Sequence, residues 1–161
     1  MIILTGSSYH QFSNNPTASS VDVFNKALER QITPRVRNVF ISFHIEDETQ
    51  VALLRHQSKD NEFGLQFRDY SVKEPFDSAW KTQCRERISR TSATIVMIGP
   101  ETANREAVIW EINESIRQGK QVIGVRIYQN ANHPIPKPML ENKCRVIDWK
   151  LAKISKLLND D

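Results

Sequence analysis

Residues able to do chemistry collect at the ends of the chain's expected strands. Ser42, Phe43, His44, Glu46 and Asp47 close or follow VFISF at 39–43. Asp69, Tyr70, Ser71 and Lys73 close or follow LQFRD at 65–69. Gly99, Pro100, Glu101 and Thr102 come after TIVMI, and Arg126 and Gln129 stand at the end of the run that begins at Val122. Acids, hydroxyls and aromatics dominate this set, which suits a ribose or a base better than a bare phosphate. A further carboxylate lies in residues 101–120. Val108, Ile109, Ile112 and Ile116 recur there at helical spacing, so one face is apolar. Glu111 falls on the flank of that face, and Trp110 falls on the far side. On periodicity alone, a solvated glutamate and a scattered surface tryptophan satisfy this pattern as well as a functional pair does.

The elements that must position these residues alternate. Strands are expected at 39–43, 65–69, 94–98, 122–127 and 144–149. Helices are expected at 46–58, 77–90, 101–120 and 150–158, with Trp80, Cys84 and Ile88 stacked four apart in the second. Gly119 is placed to end the third helix. Residues 129–143, with Pro134, Pro136 and Pro138, read as a loop. This rhythm implies an α/β, three-layer flavodoxin-like fold with helices on both faces. Its five-stranded parallel sheet has the order 2-1-3-4-5. In such sheets ligands sit beyond the carboxyl ends of the strands, at the switch point beside the first strand, which selects the residues named above. Residues 1–36 read as an N-terminal extension. In it Val21, Phe24, Leu28 and Ile32 mark one amphipathic helix, and the main domain runs over 37–161.

Several chemistries are excluded. The chain has no GxGxxG, no GxxxxGK[ST] and no GxSxG. The run VMIGP lacks the aspartate that a phosphoreceiver domain needs there. His10, His44, His56 and His133 are scattered, and Cys84 and Cys144 are far apart, so no metal site is expected. The 161 residues suit a single core, and a net charge of +3 does not suggest nucleic acid. No apolar run approaches the length of a membrane span, and the N-terminus lacks the features of a signal peptide. Two unpaired cysteines fit reduced thiols, so a cytoplasmic location is expected.

At this point the residues carry a resemblance. VFISFHIEDE at 39–48 resembles the first box of TIR domains. FRDYSVKEP at 67–75 resembles the second box with its BB loop. TIVMIGPETANREAVIWEIN at 94–113 resembles strand C and helix C, and VIGVRIY at 122–128 resembles strand D. The order of these segments is most similar to the ThsB-type TIR group of Thoeris antiphage systems. The likeness covers roughly residues 37–158. It departs from immune-adaptor TIRs at Lys73-Glu74-Pro75, and from many TIRs at His44.

The resemblance implies cleavage of NAD⁺ at the nicotinamide–ribose bond, with NAD⁺ as substrate and no other cofactor. It implies a cyclic ADP-ribose-type product that activates a partner effector. It puts the catalytic carboxylate on Glu111. Substrate contacts are expected from Ser42, Phe43, His44, Asp69, Tyr70, Ser71, Trp80 and Thr102. Trp110 is expected at a subunit contact, and self-association with it. The competing expectation is a non-catalytic TIR-like module that assembles through the BB loop and helix C.

Overall fold

The computed structural model describes residues 21–25, 37–59, 63–70 and 77–160. The chain divides into two compact units, Met1–Thr33 and Pro34–Asp161. In the first, residues 21–25 are helical; the rest of the expected amphipathic helix lies outside the described residues. The second unit carries the alternating elements.

Its strands are β1 (Arg37–Ser42), β2 (Leu65–Tyr70), β3 (Ala93–Ile98), β4 (Gln121–Arg126) and β5 (Arg145–Asp148). Its helices are α1 (Glu48–Gln57), α2 (Ser78–Ser89), α3 (Glu106–Arg117), α4 (Lys137–Glu141) and α5 (Leu151–Asn159). Short 3₁₀ turns at Ile45–Asp47 and Thr102–Asn104 lead into α1 and α3. The sheet order is β2-β1-β3-β4-β5 and every pairing is parallel, as the alternation implies. Ser42 is in register with Val96, and Ile98 with Arg126. The carboxyl ends of β1 and β3 therefore lie side by side at the switch point.

Alternation along the strands divides the core into two layers. Val39, Ile41, Phe43, Ile95, Met97, Ile123 and Val125 pack with Val51 and Leu54 of α1 and with Ile154 and Leu158 of α5. On the other face Val96, Ile98 and Val122 pack with Val108 and Ile112 of α3 and Met139 of α4. Phe40 packs there with Trp80, Cys84 and Ile88 of α2. All six residues of β3 are buried, as the central strand of such a sheet requires.

The helix ends are chemically marked. The Asp77 carboxylate accepts the Trp80 N–H at 2.8 Å and so caps α2. Gly119 takes φ +67° just past α3, the left-handed position that glycine fills without strain. The expected loop over 129–143 contains α4, because Pro138 sits in the first helical turn, where its missing N–H costs nothing. No helix among the described residues is long and apolar enough to cross a membrane.

Candidate active site around Glu111

The helix that carries Glu111 begins five residues later than periodicity implies. The Thr102 hydroxyl accepts the Gly99 N–H at 2.9 Å and donates to the Met97 carbonyl at 3.1 Å. These bonds fold Thr102–Asn104 into a 3₁₀ turn, and α3 starts at Glu106. Thr102, expected beside substrate, is fully buried and closes this turn.

α3 has two packed sides. Val108 and Ile112 face β3 and β4. Ala107 and Trp110 pack against the cluster of Phe40, Trp80, Cys84 and Ile88. Glu111 belongs to the ground between them and is 0% exposed, so its flank of the helix is covered by α2 and the end of β1 and is not solvated. The Ser42 hydroxyl donates to Glu111 Oε2. The Cys84 thiol donates to Oε1 across 3.6 Å. Burial pushes the Cys84 pKa far above the usual thiol range, and the negative charge beside it pushes the same way, so the thiol stays protonated and remains a donor.

Trp110 is not outward-facing. Its ring meets the edge of Trp80 at 5.2 Å and 64°, and the Arg85 guanidinium lies 5.8 Å from its centroid. The periodicity of one helix shows which side is apolar but not that a second helix lies alongside the other. Trp80 is 1% exposed and is likewise part of this interior.

The other expected site residues separate. Phe43 is buried in the opposite layer with Val51 and Leu54, so it is not brought beside Glu111. Asp69 and Tyr70 end β2, in register with Phe40 and Ile41. Ser71 and the rest of the BB-loop segment, 71–76, lie outside the described residues. His44 Nε2 is buried without a hydrogen-bond partner, 3.7 Å from the Glu46 carboxylate.

Cys84 was legible in the sequence only as part of an apolar stripe, yet it touches the carboxylate. Asp47 is a second buried acid at the same edge of the sheet, 4% exposed, with Oδ2 unpartnered. Burial raises its pKa and His44 opposes the rise. A Cβ on Gly99 would lie 2.5 Å from Asp47 Oδ2, so only glycine lets the turn after β3 come this close. Among the described residues no group of three or more His, Cys, Asp or Glu side chains is placed to hold a metal ion.

The family model described as Thoeris protein ThsB, TIR-like domain, matches residues 40–132, more than half of the chain. The chain belongs to the ThsB TIR-like family. A relative in Bacillus cereus (strain MSX-D12), named "Putative cyclic ADP-D-ribose synthase ThsB1", is 33% identical over 116 residues. That match takes in 63% of this chain and 60% of the relative, so the chain spans about 60% of the length of the curated protein it matches. Among solved structures, the TIR domain of the Toll-related receptor TRR-2 from Hydra magnipapillata superposes with a TM-score of 0.51 at 16% identity. The superposition covers 77% of this chain and 92% of that one, and it shows a shared fold. The matched segment of the family runs from Phe40 on β1 past β4, and it includes Ser42, Cys84 and Glu111.

Proposed function

We propose that this ThsB TIR-like chain cleaves NAD⁺ at the nicotinamide–ribose bond, and that Glu111 is its catalytic carboxylate. The observation that carries the reading is the buried Glu111 side chain at the carboxyl end of β1, held by the Ser42 hydroxyl. The name of the Bacillus cereus relative supports a cyclic ADP-ribose product.

The chemistry asks little of the protein beyond charge and shape. Nicotinamide is cationic in NAD⁺ and leaves as a neutral base with the electrons of the C–N bond, so no general acid is required. The ribose is left with oxocarbenium character, which a nearby carboxylate stabilises. Since Glu111 is 0% exposed, substrate reaches it by displacing one of its present donors. Ser42, at the strand end, is the donor that a ribose hydroxyl replaces like for like. A ring nitrogen of the substrate's own adenine, or a ribose hydroxyl that gives up its proton, then attacks C1′ in place of water. A dry site favours that closure. The cyclic nucleotide is the signal passed to a partner effector, which places the protein in antiphage defence.

Purified wild type incubated with NAD⁺ is expected to release nicotinamide and a cyclic product, resolved by mass spectrometry. Glu111→Gln keeps the fold and loses a factor on the order of 10²–10³ in turnover. Equal turnover by the two proteins removes Glu111 from the mechanism. A wild type that self-associates but leaves NAD⁺ intact replaces this reading with that of an assembly module.

A further inference from the structure

Ser42 and Cys84 reach Glu111 from different elements. Ser42 ends β1, at the carboxyl edge of the sheet where such folds seat their ligands, and is itself 0% exposed. Cys84 holds the other oxygen from α2, and it is backed by Phe40, Trp80 and Ile88, none of them more than 1% exposed. No ligand approaches from that side without dismantling the layer between α2 and the sheet.

We propose that Cys84 is a positioning residue, its thiol fixing Glu111 Oε1 so that Oε2 faces the ribose throughout the reaction. The proposal rests on the catalytic reading of Glu111 given above. A carboxylate in an apolar layer must have its oxygens satisfied. A lysine or arginine at position 84 would satisfy them by cancelling the charge that the oxocarbenium needs. A thiol is a weak, neutral donor with the packing behaviour of a small apolar side chain. It therefore steers the carboxylate without neutralising it, and it fills the same space as its neighbours on α2. Burial and the adjacent negative charge keep it protonated, with Glu114 adding to that effect and Arg87 opposing it.

The test compares wild type, Cys84→Ala and Cys84→Ser for steady-state NAD⁺ turnover, with melting temperatures measured alongside. Cys84→Ala is expected to lower kcat about tenfold with KM within about twofold of wild type, the effect of losing one hydrogen bond to a charged group. Cys84→Ser, which keeps a donor, is expected to recover most of kcat.

A Cys84→Ala kcat equal to wild type, with Glu111→Gln inactive, overturns the positioning role and leaves the reading of Glu111 standing. Equal loss in the alanine and serine variants, tracking a fall in melting temperature, reduces Cys84 to packing and also overturns it. Glu111→Gln turnover equal to wild type overturns the catalytic reading, and this inference falls with it.

Discussion

Glu111 and Glu114 lie one turn apart on α3, both are buried, and they are held in opposite ways. Glu114 accepts from Arg117 at 2.9 and 2.5 Å and from Gln118 at 2.7 Å, with the Arg85 guanidinium at 3.4 Å. The Arg117 bonds are the largest cause holding its pKa down at about 2, against the opposing effect of burial. Glu111 accepts from the Ser42 hydroxyl and the Cys84 thiol. Cations that grip a carboxylate spend its charge on the fold. Neutral donors orient a carboxylate and leave its charge for a developing cation. The same residue type on one helix thus serves stability at one position and is suited to chemistry at the other.

The two carboxylates should respond to amide substitution in different measurements. Glu111→Gln is expected to lose on the order of 10²–10³ in turnover, equivalent to roughly 3–4 kcal/mol in the barrier, with little change in melting temperature. Glu114→Gln is expected to do the reverse. It should cost roughly 1–3 kcal/mol of stability at neutral pH, less than the full pKa shift implies because Arg117 stands largely in water. The sign follows from a folded pKa below the ordinary 4.5. The Glu114 contribution is complete above the unfolded value and is lost as pH falls towards about 2. The stability gap between wild type and Glu114→Gln should therefore close over that window. Denaturant midpoints measured across it check this. A gap that persists at pH 2 means that the ion pair is not its source.

Ser42→Ala sharpens the contrast within the Glu111 site. If substrate must displace the Ser42 hydroxyl, removing it lowers KM several-fold and leaves kcat near the wild-type value, whereas Cys84→Ala acts on kcat. A fall in kcat with unchanged KM would make Ser42 a donor that persists through the reaction.

Much of the fold was legible because VFISF, TIVMI and the run from Val122 are bounded and apolar, LQFRD alternates apolar with polar residues, and α2 and α3 carry apolar stripes. Parallel order then follows from chain alternation and crossover handedness. What escaped were features made by side chains meeting across elements. The start of α3 is set by Thr102 bonding to Gly99 and Met97, which periodicity does not register. Ser42 and Glu111 are 69 positions apart, and only the closed sheet brings them together. Trp110 reads as exposed until α2 lies beside it, with Trp80 against its ring. The family resemblance picked out Glu111. Neither it nor the spacing picked out Cys84, which a lone apolar stripe does not distinguish from its neighbours.

The smallest expected effect is the most exacting check on the division of labour along α3. Arg85 belongs to the Glu114 side by charge, 3.4 Å from that carboxylate, and to the aromatic layer by its seat over Trp110. It also follows Cys84 directly in the chain. Its side chain is 49% exposed, so both interactions are screened. Arg85→Ala should cost under about 1 kcal/mol, less still at high salt, and should leave NAD⁺ turnover unchanged. A salt series of melting temperatures, run beside the turnover assay, reads both. If Arg85→Ala lowers kcat as far as Cys84→Ala does, the cationic network also tunes Glu111. The separation between a structural and a chemical carboxylate on this helix would then fail.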